Sequence, residues 1–317
     1  MGLILSIDAG TTNIKAALVD EAGQLVGEAK SINMRIEGDV TGRAEHDPVR
    51  LRTALFEICE LAIGDKGQEI DEFSLTSYQF GLMLVDKEQS FLTNISTFID
   101  TTAQSHYPKF LEAIGDPDQL YLKTGCPPIF QYPINRLHFI STGNPELRDK
   151  VAHILDSKSF LMHELTGEYF TDFSTANSMG CLDVSGNWDN QIIESAGFRV
   201  EQLPRVLNGF TDKVRLSKSV CERFGLKRET SISAGLYDGA ALAAAITGFE
   251  ENIAVGNFGT SGMFRVPTRN AILDFDGGLV QSCLLMPGAF LTGSGINNCT
   301  IATNLLLNVL GLELSYL

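Results

Sequence analysis

The chain has 317 residues, 44% hydrophobic and 20% charged, enough for about two globular domains with large cores; disorder is excluded as the main state. The formal net charge of −15 argues against a nucleic-acid backbone or an anionic membrane as the main partner, yet allows a phosphate held by backbone N–H groups. The six Cys and five His are scattered without metal-ligand or disulfide spacing, so the thiols are read as free in a reducing cytoplasm.

Residues 3–32 read as three short strands joined by the turns AGTT and EAGQ, which makes consecutive strands antiparallel hairpins. The first strand has no basic n-region and is no signal peptide, and no run of about 18 apolar residues spans a membrane. Asp47 and Pro48 open a helix over 48–64, with Leu51, Leu55, Ile58, Leu61 and Ala62 at helical spacing. IDEFSLTSYQ and LMLVD read as further strands, and this order of elements predicts an α/β layer structure. The middle, 101–233, is mixed, with helical stretches at 149–165 and 189–197. A strand over 230–234 leads to an Ala-rich helix over 239–248. NIAVGNF, the turn GTSG and MFRVP then form a hairpin, and one apolar helix covers roughly 299–310.

Gly10-Thr11-Thr12 suits a phosphate: glycine admits close approach, successive N–H groups form an anion nest, and the hydroxyls add donors. Asp8 ahead of it could hold Mg²⁺, usually through water, and Lys15 could add positive charge; a plain hairpin is the other reading. Gly259-Thr260-Ser261-Gly262 repeats the signal, and Ile7–Thr12 lines up with Gly256–Ser261 as a possible internal repeat. Asp238, between a strand and the Ala-rich helix, is either the helix N-cap or a base for a substrate hydroxyl. His163-Glu164 reads as a helix surface pair and Trp188 as a packing residue. There is no Walker A, GxGxxG, HExxH or GxSxG motif.

Taken together, Asp8–Thr12 with Lys15, GRAEHDP at 42–48, Leu165–Glu168 followed by Asp172–Ala176, Gly235–Gly239, and Phe258–Phe264 resemble the FGGY carbohydrate kinases, in the family's order. The resemblance implies an α/β, ribonuclease-H-like fold of the actin and hexokinase superfamily. It implies a sugar-binding and catalytic-base domain at 1–248 and the start of a nucleotide-binding domain at 249–317. It implies ATP and Mg²⁺ as cofactors, with Asp8 serving the metal. Gly10, Thr11, Thr12, Lys15, Gly259 and Thr260 would bind phosphate, and Asp238 would be the general base. The sugar would meet Gln79, Phe80, Asp100 and Asp238.

The family often has Met-His where this chain has Gln79-Phe80, and a Trp-x-Asp-x-Arg run where it has Phe98–Thr102, with the Asp kept and the Arg lost. Relatives also continue well beyond this length, through a Gly-rich adenosine motif. The expected function is ATP-dependent phosphotransfer to a sugar, polyol or sugar acid in the cytoplasm. The alternatives are a non-catalytic sugar-binding remnant, or half of a split kinase completed by a partner chain or by a homo-oligomer.

Overall fold

Alternation within the first strand sets the architecture. In Leu3–Ala9 the odd positions Leu3, Leu5, Ile7 and Ala9 are buried, while Asp8 sits on the opposite face. The computed structural model describes residues 2–258, 262–296 and 299–310. Leu3–Ala9, Asn13–Val19 and Leu25–Asn33 form the antiparallel meander expected from the two turns. Ile70–Ser77 lies parallel to Leu3–Ala9, with Ser77 opposite Ala9. Ser231–Ser233 follows in parallel, and Lys213–Arg215 closes the edge of the six-stranded sheet.

Parallel neighbours need a crossover, which the helix Pro48–Ile63 supplies. Asp47 caps it by accepting from the Val49 N–H at 2.8 Å, and Leu51, Leu55, Ile58 and Cys59 are buried. Leu61, one of the periodic set, is instead half exposed at 51%. The helix expected over 149–165 is shorter. His153–Leu155 is a strand paired antiparallel with Met83–Val85, and the helix runs Ser157–Thr166. Asp156 starts it, accepting from the Ser159 N–H at 2.7 Å, so the cap rather than the apolar pattern sets the boundary. The later stretch at 189–197 is helical over Asn190–Ser195.

The Ala-rich helix runs Asp238–Thr247 and stops at Gly248, whose φ is +57°. Its cap position is Tyr237, so Asp238 is the first helical residue and not the N-cap. Beyond it lies a second sheet of four antiparallel strands, ordered Val255–Phe258, Gly262–Thr268, Ala289–Ile296, Gln281–Met286. This exceeds the single hairpin expected; the added pair turns at Pro287-Gly288. Leu236, Tyr237, Ala240 and Ala243 pack with Val255, Cys283, Leu285 and Leu291, which seats the second sheet against the helix of Asp238. Cys299–Leu310 is helical, and no helix among the described residues is long and apolar enough to cross a membrane. Cys59, Cys126, Cys181, Cys221 and Cys283 are buried free thiols.

Candidate active site

Three parallel strands end on one edge of the first sheet, where open α/β sheets place their ligands. The segments leaving those ends are Gly10–Thr12, Tyr78–Phe80 and 234–238; Ser77 bridges to Tyr237, which brings Asp238 beside the other two. Between them and the second sheet lies a cleft of about 790 Å³, whose walls include Thr11, Gln79, Phe80, Asp238, Gly239 and Arg265.

The Gly10–Thr12 turn is fixed from within. The Gly10 N–H donates to the Asn13 carbonyl at 3.0 Å, and the Thr12 carbonyl accepts from Met34 at 2.7 Å. The N–H groups of Thr11 and Thr12 have no partner among the described residues, as an anion nest requires. Asp8 stands behind the turn, directly opposite Lys15 on the adjacent strand. Burial raises the Asp8 pKa and Lys15 pulls it back; its Oδ1 is buried without a hydrogen-bond partner among the described residues. Such an oxygen calls for a cation or a donor. Lys15 and Thr12 are exposed.

Asp238 opens onto the cleft, with Oδ1 accepting from the Gly239 N–H at 2.6 Å. Protein closes around the carboxylate on its other sides. That burial raises its pKa, nearby Asp8 raises it further, and Arg265 and Lys158 oppose the shift. Behind it a polar chain fixes the backbone. Fully buried Lys158 donates to Asp172 Oδ2 and to the Ala234 carbonyl, each at 2.6 Å. Asp172 caps the helix Phe173–Asn177, and Ser174 Oγ accepts from the Tyr237 N–H at 3.0 Å.

Gln79 and Phe80 both line the cleft, with Gln79 Oε1 buried and unpartnered among the described residues. Phe80 has a φ of +63°, a strained backbone for a bulky residue, and packs edge-on against Tyr132 at 5.2 Å. Asp100 is placed differently from Gln79 and Phe80. Its neighbours Phe98, Ile99 and Thr101 line the cleft, but its own carboxylate is 1% exposed and turned inward. It accepts from the Ala44 N–H at 2.9 Å and from Thr102 Oγ1 at 2.5 Å, and it pairs with Arg136 at 3.4 Å. Those partners tie its loop to Ala44 and Arg136. Gly259 and Thr260 lie outside the described residues. The residues that sequence reasoning passed over are His46, Gln131, Lys158, Arg265 and Gln281. Lys158 left no trace, because a lysine between Ser157 and Ser159 in a first helical turn reads as an ordinary exposed charge.

Residues 3–246 match the N-terminal domain of the FGGY family of carbohydrate kinases. The chain belongs to this family. Among relatives of the FGGY chain, a gluconokinase of Bacillus subtilis is 24% identical over 83% of it, and a xylulose kinase of Lactococcus lactis is 26% identical over 91%. The alignments span 51% and 58% of those two proteins, so the chain covers little more than half their length. Among solved structures, a ligand-bound xylulose kinase of Lactobacillus acidophilus superposes with a TM-score of 0.90 at 24% identity, covering 97% of this chain and 62% of that one. A gluconate kinase of the same species gives 0.89 at 25%, covering 96% and 61%. The fold is that of the actin and hexokinase superfamily, α/β and ribonuclease-H-like.

Proposed function

We propose that the chain forms the acceptor-binding and base-bearing part of an ATP-dependent carbohydrate kinase. The observation that carries the reading is Asp238: a carboxylate open to a cleft, beside a turn whose Thr11 and Thr12 N–H groups have no partner among the described residues. Asp238 takes the proton of one acceptor hydroxyl as its oxygen bonds to the γ-phosphorus, and ADP leaves with the bridging oxygen. Gly10, Thr11 and Thr12, with Lys15 beside them and Gly259 and Thr260 from the second turn, hold the phosphates. Mg²⁺, when bound with the nucleotide, would neutralise phosphate charge. The unpartnered Oδ1 of Asp8 suits it directly or through water. Gln79 and Phe80 meet the acceptor.

The boundary between the acceptor domain and the nucleotide-binding one falls at Gly248, where the helix of Asp238 stops. The partner is a small sugar, polyol or sugar acid, and the setting is the cytoplasm. Relatives named gluconokinase and xylulose kinase support this class of acceptor. A coupled ADP-release assay across pentoses, hexoses, polyols and sugar acids tests it. Turnover that survives Asp238→Asn undiminished would reject Asp238 as the base.

A further inference from the structure

Arg265 lies within the strand Gly262–Thr268, and Gln281 begins the strand Gln281–Met286. Both pair with one residue of the strand between them, Gly293. Directly opposed residues project to the same face of a sheet, and the two outer strands are about 9–10 Å apart. The rung therefore consists of a guanidinium, a gap and an amide. The gap is obligatory, because a Cβ on Gly293 would lie 2.1 Å from the Phe264 carbonyl oxygen and 3.0 Å from Arg265 Cγ. Arg265, Gly293 and Gln281 all line the cleft that Asp238 opens onto.

Among the described residues, Arg265 of this rung has no anionic partner and Gln281 Nε2 has no acceptor. Arg265 is 9% exposed, and among the described residues no carboxylate is in ion-pair contact with it. It engages the Tyr237 phenol, and its Nη2 packs so closely that a Cβ on Gly239 would come within 2.8 Å. Asp238 feels its charge without pairing to it. Gln281 Nε2 is a buried donor with no acceptor among the described residues. A desolvated cation and an orphaned N–H, both costly when unsatisfied, thus flank one glycine-sized gap. The group that answers both is a carboxylate, which takes a guanidinium on one side and an N–H on the other. Gln79 and Gln131, also in the cleft wall, each carry a buried carbonyl oxygen without a partner among the described residues, as acceptors for hydroxyls would.

We propose that Arg265 and Gln281 form a carboxylate-reading notch and that the acceptor is a sugar acid. This rests on the kinase reading of the cleft and narrows its substrate class. A net charge of −15 disfavours an anionic substrate unless a local cation answers it, and Arg265 is that cation. The phosphates have their own donors in the Gly10–Thr12 turn, so Arg265 is left for the acceptor.

Calorimetry on the 317-residue chain without nucleotide tests the notch, using D-gluconate and D-xylonate against the neutral D-glucitol and xylitol. The acids should bind more tightly than the matching polyols. Arg265→Gln should shrink that preference by roughly 10–100-fold, the worth of a lost charge-assisted pair. Arg265→Lys should restore part of it, and Gln281→Leu should lower it more modestly. Thermal melts establish that each variant is folded; if Arg265→Gln is not, Gln281→Leu carries the test. Equal affinity for acid and polyol, no binding of either, or an acid preference unchanged in the folded variants would overturn the notch. Loss of Mg·ATP affinity in Arg265→Gln with acid preference intact would assign the guanidinium to phosphate and overturn it too. Failure of every acceptor to turn over would count against the kinase reading while leaving the acid-to-polyol ratio as measured.

Discussion

His46 Nε2 lies 2.9 Å from the carbonyl oxygen of Thr11, a contact that ties the Gly10–Thr12 turn to the interior. A carbonyl only accepts, so Nε2 carries the proton, and Nδ1 accepts from the Tyr78 hydroxyl 3.0 Å away. One buried imidazole thus sets the turn against the segment that supplies Gln79 and Phe80. His46→Leu should leave the Tyr78 hydroxyl buried without a partner, costing about 1–3 kcal/mol in a urea titration and weakening Mg·ATP binding. His46→Gln, which can reach one partner, should recover part of both. Burial holds the His46 pKa below the ordinary histidine value. Its neutral form therefore supports the fold above about pH 6.5, and that stability drains as pH falls towards and through the lowered pKa. Wild type should lose more stability over that window than His46→Gln.

The Lys158–Asp172 pair is wholly buried, and Lys158 also holds the Ala234 carbonyl four residues before Asp238. Removing one member of such a pair strands the other charge. Lys158→Met should cost about 3–5 kcal/mol and displace the 234–238 segment, reducing turnover beyond what the loss of stability explains. Replacing both, as Lys158→Met with Asp172→Asn, should cost less than Lys158→Met alone. A double-mutant cycle by denaturant titration checks the sign of the coupling.

What the sequence revealed was what is specified locally. The 3–32 hairpins follow from their turns, the helix at 48 from Asp47 and Pro48, and the helix before Gly248 from its alanines and that glycine. Asp8, the Gly10–Thr12 turn and Asp238 were visible as motif residues, and the parallel strand ends do bring them together. Asp100 was not legible, because its partners Ala44 and Arg136 lie 56 and 36 residues away. Lys158 escaped for the same reason: its lattice of contacts reaches Ala234, 76 residues on. Arg265 and Gln281 meet only through strand register at Gly293, which no local pattern encodes.

The second sheet and the final helix expose large apolar side chains. Phe258 and Phe264 stack edge-on at 5.1 Å with 59% of each exposed, and Leu305, Leu306, Val309 and Leu310 are 58–75% exposed. Surface of this kind associates or binds apolar dyes. The 317-residue chain should therefore bind ANS when folded and sediment with concentration-dependent mass. Phe264→Ser combined with Val309→Ser should reduce both signals while leaving the melting midpoint within a few degrees. A monodisperse, dye-silent wild-type chain at high concentration would contradict this.

Asp238 carries opposite consequences for activity and stability. As the proposed base, its replacement by Asn should cut turnover by roughly 10²–10⁴-fold while leaving acceptor affinity largely intact. The fold should respond in the other direction. Burial, then Asp8, raise the folded-state pKa of Asp238 above its unfolded value. For a raised pKa the stabilising contribution is complete below the unfolded value, near pH 4, and is lost as pH rises through the folded one. Above the unfolded value wild type therefore carries the cost of a carboxyl whose ionisation the folded state disfavours, and Asp238→Asn relieves it. The variant should melt at a higher temperature than wild type at pH 7, and the gap should close as pH falls to about 4. Asp8→Asn offers the control, because removing the neighbouring charge should lower the Asp238 pKa and narrow the pH 7 gap produced by adding Asp238→Asn. Scanning calorimetry of the four variants between pH 4 and 8 reads all of this without turnover. A gap of constant size across that range would mean that Asp238 is not held at a raised pKa, and the case for it as the base would lose its electrostatic support.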